Sequence, residues 1–144
     1  MKDMGYKDAF IQVATDCTAT TGVVPPSRGG RKSVPVYQYE LLAASPYQLT
    51  HADLLYEVHV RHKEIAEAEL EERGDEIRAE LLEKPHPCLR ASALGKTYGW
   101  GVHYDEEGRI ALYAVDSDEY RRFSRPGEVA TLVRAMRTRR EGKA

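Results

Sequence analysis

The sequence predicts a single α+β domain, an antiparallel sheet with helices packed on one face. Short segments whose apolar residues alternate with a period of two are typical of strands, and longer segments with apolar residues every three or four positions are typical of helices. A turn motif joins two of the short segments into a β-hairpin over residues 99–115. The length of 144 residues is that of one domain, so we assign 1–144 to one unit with strands at 8–14, 88–94, 99–105 and 109–115.

The first strand is followed by a long loop. Residues 8–14 contain Phe10, Ile11 and Val13, an apolar run that predicts a buried strand. Residues 16–33 are rich in Thr, Ser, Pro and Gly and have neither helical nor strand periodicity, which predicts a solvated loop. The basic run at 28–32 leaves one alternative open, in which backbone N–H groups and positive charge cradle an anion.

Two helices are predicted after the loop. Ser33 is a suitable N-cap, and Ser45-Pro46 ends the helix that follows it. Thr50 and Asp53 form a variant of the capping box, which predicts the start of a second helix. Apolar and polar residues also alternate over 56–61, so a strand remains an alternative there.

Charge is distributed unevenly along the chain. Residues 64–84 hold nine acidic and three basic side chains, and their apolar residues at helical spacing predict an acidic helical arm, interrupted or kinked at Gly74. Apolar residues at i, i+3, i+4 and i+7 between 129 and 136 predict a C-terminal helix over 127–140 with a basic tail. The opposite charges suggest that the two segments attract each other.

The turn at 105–108 predicts the register of the hairpin. Its sequence, Asp-Glu-Glu-Gly, suits a type I turn followed by a glycine in the left-handed region. The register pairs residues on one apolar face as Tyr104–Ile110, Val102–Leu112 and Trp100–Ala114, and on the opposite face as His103–Ala111 and Gly101–Tyr113. If 88–94 is a strand, we expect its polar side, with Cys88, Arg90 and Ser92, to continue the second face.

The same region carries a resemblance to a known family. The run Cys88-x-Arg90-Ala91-Ser92-x-Leu94-x-Lys96-x-Tyr98-Gly99-Trp100-Gly101-Val102-His103, together with 10–17 and the helix entry at 46–53, resembles a family of small uncharacterised microbial proteins. That family is known only as a domain of unknown function. The resemblance therefore implies no activity and no catalytic or binding residues.

The function we expect is non-catalytic binding of a small anionic ligand or a partner peptide on the face formed by 88–113. Gly99 and Gly101 remove two side chains from this face, which predicts a depression. Around it, an arginine guanidinium, a lysine ammonium and hydroxyl groups can bind a carboxylate or phosphate through hydrogen bonds and charge. The predicted ligand-binding residues are Arg90, Ser92, Lys96, Tyr98, His103 and Tyr113. The structural alternative is that the glycines serve sheet twist and Arg90 pairs with the acidic arm.

The alternative function is a small thiol-dependent enzyme. Cys88 and His103 would form a thiolate–imidazole pair if their strands are neighbours. A free cysteine packed as a small hydrophobic residue is the simpler interpretation of Cys88. The sequence has no nucleophile elbow, P-loop or dinucleotide fingerprint, so we expect no cofactor.

Metal, nucleic-acid and membrane partners are not expected. His59, His62, His86 and Cys88 are zinc-ligand types, but one thiolate with three imidazoles is unusual for a structural zinc site, so we predict no metal site. The net charge of −2 does not favour nucleic acid. No apolar run approaches the roughly 18 residues that span a bilayer, and we expect no signal peptide. With two cysteines, the sequence suggests a reducing cytoplasm, and it leaves the oligomeric state open.

Overall fold

A computed structural model describes residues 5–27 and 29–138, which form one α+β domain with a four-stranded sheet. The elements in chain order are β1 (Ala9–Gln12), α1 (Val34–Ala44), α2 (His51–His62), α3 (Glu67–Glu83), a 3-10 turn (Leu89–Ala91), α4 (Ala93–Lys96), β2 (Trp100–Tyr104), β3 (Ile110–Ala114), α5 (Asp118–Phe123) and β4 (Thr131–Arg134). None of the helices in this described part of the chain is long and apolar enough to cross a membrane.

The sheet is mixed, which corrects the predicted antiparallel sheet. Its strands follow the order β3-β2-β1-β4, with β1 antiparallel to β2 and parallel to β4. The two central strands therefore have a partner on each side, and β3 and β4 are the edges. Residues 47–50 cover the start of the β3 edge, where Tyr47 N–H donates to the carbonyl of Ile110 over 2.8 Å.

The predicted hairpin and its register are confirmed. All five residue pairs between β2 and β3 match the expectation, from Tyr104 opposite Ile110 to Trp100 opposite Ala114. Asp105 holds the turn, because its Oδ1 accepts hydrogen bonds from the N–H groups of Glu107 and Arg109. Gly108 has a φ of +84°, the left-handed conformation that the turn requires.

The predicted strand over 88–94 is wrong. The segment forms the 3-10 turn and α4, and the Ser92 hydroxyl caps α4 by accepting a hydrogen bond from Leu94 N–H at 3.1 Å. Serine is favoured at this capping position because it satisfies a backbone donor that the helix leaves free. In addition, β2 is already paired on both sides, so no position beside β2 is open to a further strand.

The predicted C-terminal helix over 127–140 is also wrong, because residues 131–134 form β4. The strand pairs with the free edge of β1, where Thr131 N–H donates to the carbonyl of Asp8 and Ala135 N–H to that of Gln12. The apolar residues at 129–136 fit a strand as well as a helix over so short a run, and this pairing decides between them. Residues 139–140 and the rest of the basic tail lie outside the described residues.

The helices lie on both faces of the sheet, whereas the sequence predicts one. On the first face, Ile11, Val102 and Ile110 pack against Leu42 of α1 and Leu54 of α2. The second face is covered in part by α5, which the sequence analysis missed. Its rings pack on the sheet as Phe10–Tyr120 and Phe10–Phe123, with centroids 5.1 and 5.5 Å apart.

The predictions for α1, α2 and α3 are confirmed, with differences at their ends. The helix alternative holds at 56–61, and both hydrogen bonds of the Thr50–Asp53 capping box are present. Gly74 does not interrupt α3. The loop at 16–33 contains no helix or strand in its described residues, and Trp100 Nε1 fixes part of it by donating to the carbonyl of Val23 at 2.9 Å.

The packing of α5 on the sheet predicts opposite effects for two glycine substitutions. A Cβ at Gly101 would lie 2.5 Å from Phe10 Cζ and 2.7 Å from the Tyr120 ring, so Gly101→Ala should destabilise the protein by about 1–3 kcal/mol. At Gly74 the nearest atom is the Tyr56 hydroxyl at 3.4 Å, so Gly74→Ala should stabilise by about 0.5–1 kcal/mol. Urea unfolding measures both, and parent stability for Gly101→Ala would contradict the position of α5.

Candidate functional site

A cavity of about 470 Å³ lies between α1, α2 and the segment 86–93, and we call it the histidine cavity. Aliphatic side chains form much of its wall: Val34, Pro35, Leu54, Leu55, Val58, Leu81, Pro87, Leu89, Ala91 and Ala93. The polar residues in the wall are His51, His59, His62, His86, Cys88, Gln38 and Ser92. Four of the five histidines of the chain therefore line one cavity, and no aspartate or glutamate among the described residues lines it.

Local structure positions these histidines. The capping box begins α2 at His51, and the next helical positions on the same side carry His59 and His62. His86 comes from the extended segment after α3, and its Nε2 donates to the carbonyl of Leu81 at 2.7 Å. A carbonyl oxygen only accepts hydrogen bonds, so this contact fixes the hydrogen of a neutral His86 on Nε2.

His51 is the most deeply buried of the four. The residue is 3% exposed, and its Nδ1 is buried with no hydrogen-bond partner among the described residues. Burial and the neighbouring His86 hold the pKa of His51 below its usual value of 6.5. Within the described part of the chain the buried Tyr104 hydroxyl has no hydrogen-bond partner either, and a Cβ at Gly5 would meet both His51 and the Tyr104 ring. An unpartnered buried nitrogen costs about 1–3 kcal/mol, so the burial of His51 carries an energetic cost.

Two lysines lie near His59, a residue of the cavity wall. Burial lowers the pKa of His59, and the charges of Lys63 and Lys84 lower it further. No carboxylate of the described residues lines the wall beside these cations. A negatively charged group near His59 would gain from this field and would favour the protonated imidazole.

Two of the predicted site residues, Ser92 and Cys88, line the histidine cavity. The Ser92 hydroxyl donates to Gln38 Oε1 at 2.7 Å while it caps α4, so it has a structural role. Cys88 is partly buried and unpaired, and no hydrogen bond joins its thiol to a histidine in the described residues.

His103 and Tyr113 lie together on the second face of the sheet. The Tyr47 hydroxyl links them, at 2.8 Å from His103 Nδ1 and 2.8 Å from the Tyr113 hydroxyl. The His103 ring stacks on Phe123 with centroids 3.9 Å apart. Burial lowers the pKa of His103. Burial also raises the pKa of Tyr47, and the hydrogen bond with Tyr113 raises it further. Tyr47 was not among the predicted site residues, and its backbone φ of +58° places it in the left-handed region.

The remaining predicted residues lie elsewhere. Arg90 Nε donates to the carbonyl of Arg134 at 2.7 Å, beside the end of β4. Lys96 is at the end of α4, and Tyr98 lines a separate groove on the outer side of α1. The six predicted ligand-binding residues therefore do not share a face. The shared face depended on the strand at 88–94, which is not formed.

Cys88 and His103 are not paired. Cys88 lines the cavity on the side of the sheet covered by α1 and α2, whereas His103 packs with Phe123 on the opposite side. The thiolate–imidazole pair of the alternative function is therefore not formed. The residues considered for zinc, His59, His62, His86 and Cys88, do line one cavity. Within residues 5–27 and 29–138, no group of three or more His, Cys, Asp or Glu side chains could hold a metal ion.

His51 is a site residue that the sequence analysis did not single out. Its position directly after the N-cap Thr50 was the available signal, because the first turn of an amphipathic helix often faces the core. The sequence pattern of the other histidines gave no indication that α1 would complete the cavity.

Comparison with known proteins gives one match. A family model described as "Family of unknown function (DUF6157)" matches residues 1–141. This confirms the resemblance to a domain of unknown function. No curated protein and no solved structure matches the chain.

Buried histidines with lowered pKa values predict that stability depends on pH. The unfolded chain binds protons near pH 6.5 while folded His51 resists protonation, so stability is fullest above pH 6.5 and falls as the pH drops below it. His51→Phe keeps a ring at the position but binds no proton. Its melting temperature should therefore fall less than that of the parent between about pH 7.5 and about pH 5.5. An equal fall in both proteins would contradict the burial of a neutral His51.

Proposed function

We propose that this chain, which belongs to a family of unknown function (DUF6157), is a binding protein that holds a small anionic ligand with an apolar body in the histidine cavity. The binding class is the one expected from the sequence, and the site moves from the predicted 88–113 face to the cavity. We place the protein in the cytoplasm, which two unpaired cysteines support.

The composition of the cavity wall carries the proposal. Ligand pockets typically enclose about 300–1,000 Å³ and combine apolar walls with a few polar groups, and the histidine cavity has this volume and composition. Four histidines, His51, His59, His62 and His86, supply imidazole groups to this wall. A partner peptide is less well supported, because the space suits a small molecule.

The charge of the ligand is inferred from the groups around the cavity. Four imidazoles line it and two lysines lie near His59, while no carboxylate from residues 5–27 or 29–138 lines its wall. Binding a cation would add to this positive potential, whereas an anion would reduce it. Neutral imidazoles can also take up a proton when an anion binds, which couples affinity to pH.

A cavity-filling substitution should abolish binding of a simple probe. Decanoate should raise the melting temperature more than decanol does, and at about 100 times its Kd it should add about 2.7 kcal/mol of stability. Ala91→Leu fills part of the cavity and should remove the effect, because Ala91 lines the wall. Ala43→Leu, at an exposed position of α1, is the matched control and should bind as the parent does. Equal shifts with Ala91→Leu and the parent would exclude the cavity as the site.

The second candidate function is a thiol-dependent enzyme. The position of Cys88 in a cavity with His51 and His86 favours it, with a cavity histidine in the place of His103. A catalytic cysteine is rich in thiolate and reacts with alkylating reagents much faster than a model thiol does.

Alkylation by iodoacetamide separates the two functions. For a binding protein, Cys88 should react no faster than free cysteine, and decanoate should slow its reaction by occupying the cavity. Cys17, which does not line the cavity, is the internal control and should react at an unchanged rate. Mass spectrometry of the modified peptides measures both rates. A Cys88 that reacts much faster than free cysteine would favour the enzyme.

A further inference from the structure

A second cavity lies on the other side of the first turns of α1. It encloses about 990 Å³ and we call it the basic groove. The loop supplies Pro26, Gly30, Arg31, Lys32 and Ser33, the end of α2 supplies His62, Lys63 and Glu64, and Tyr37 and Tyr98 complete the lining. The lining of the groove therefore contains three cationic side chains and a histidine, and one acidic side chain. The proposed function described above does not use this groove.

Most of this positive charge is not balanced by ion pairs. Arg31 and Lys63 form no ion pair within the part of the chain that the structure describes. Lys32 pairs with Glu40 at 3.0 Å, but both side chains are nearly half exposed, so solvent screens the pair. Cationic groups from the loop and from α2 therefore remain available to an anionic ligand.

The basic groove adjoins the histidine cavity. His62 lines both spaces. Of two neighbouring residues of α1, Tyr37 lines the groove and Gln38 lines the cavity. The His62 ring meets the edge of Tyr37 with centroids 6.2 Å apart. His62 is therefore the residue at which the two spaces meet.

We propose that the ligand carries a phosphate group, held in the basic groove by Arg31, Lys32 and Lys63, while its apolar body occupies the histidine cavity. This deepens the proposed function and rests on it. A phosphate dianion matches three cations better than a single carboxylate does, and the arginine fork and the two tyrosine hydroxyls suit its oxygens.

The source that we favour is a soluble phosphate ester rather than a membrane lipid or a nucleic acid. The apolar part must enter a cavity of about 470 Å³, which is the volume of a small-molecule site. Nucleic acid has no apolar body to place there, and the net charge of −2 does not favour it.

Calorimetric titration with three probes tests the proposal. Inorganic phosphate represents the head, decanol the body, and decyl phosphate, kept below micelle formation, represents both. Decyl phosphate should bind at least about tenfold more tightly than either part, because one molecule makes both sets of contacts. Lys63→Gln and Arg31→Gln should each weaken the binding of decyl phosphate by about fivefold and leave the affinity for decanol unchanged. Arg125→Gln removes an exposed charge outside the groove and should change neither affinity.

The possible failures are distinguishable. If decanol and decyl phosphate bind equally and the groove variants change neither, the phosphate assignment is wrong and the cavity site stands. If phosphate binds the groove but decyl phosphate binds no more tightly, the two spaces do not share a ligand. If only vesicles containing phosphatidic acid bind, the soluble-ester assignment is wrong. If none of these probes, and neither decanol nor decanoate, binds, the proposed function itself fails.

Discussion

The Asp53 carboxylate connects α2, which lines the histidine cavity, to α3. One oxygen accepts a hydrogen bond from Thr50 N–H at 3.0 Å and so completes the capping box that begins α2 at His51. The other accepts from Arg78 of α3 at 2.9 Å. Burial raises the pKa of Asp53, but the hydrogen bonds from Thr50 and Arg78 outweigh it and leave the pKa lowered. The carboxylate therefore stays ionised at neutral pH, where it fixes the start of one cavity helix and attaches the acidic helix α3 to it.

Features set by neighbours in sequence were predictable, and features set by distant strands were not. The turn at Asp105 and the capping box at Thr50 need only adjacent residues, so the hairpin register and the start of α2 followed from the sequence. Residues 88–94 could not pair with β2, because β2 has a partner on each side. Residues 131–134 form a strand because one edge of β1 was open to them. Short apolar runs contain no information about which sheet edge is free.

The candidate site was predictable only in part for the same reason. Ser92 and Cys88 do line the cavity, but α1, α2 and the 86–93 segment are brought together by packing on the first sheet face. His103 and Tyr113, assigned to the same site from their register, are on the second face, where Tyr47 links them by hydrogen bonds. Period-two alternation correctly separated the two faces of the hairpin, but the segment assigned to extend one of them is helical.

The proposal that the histidine cavity holds an anionic ligand is tested most directly by NMR of the imidazole groups during titration with decanoate. The five histidines report on both sides of the sheet, because four line the cavity and His103 does not. We expect the resonances of His51, His59, His62 and His86 to shift on binding while that of His103 stays in place. A shift confined to His103, or no shift in any imidazole while decanoate binds, would contradict the account.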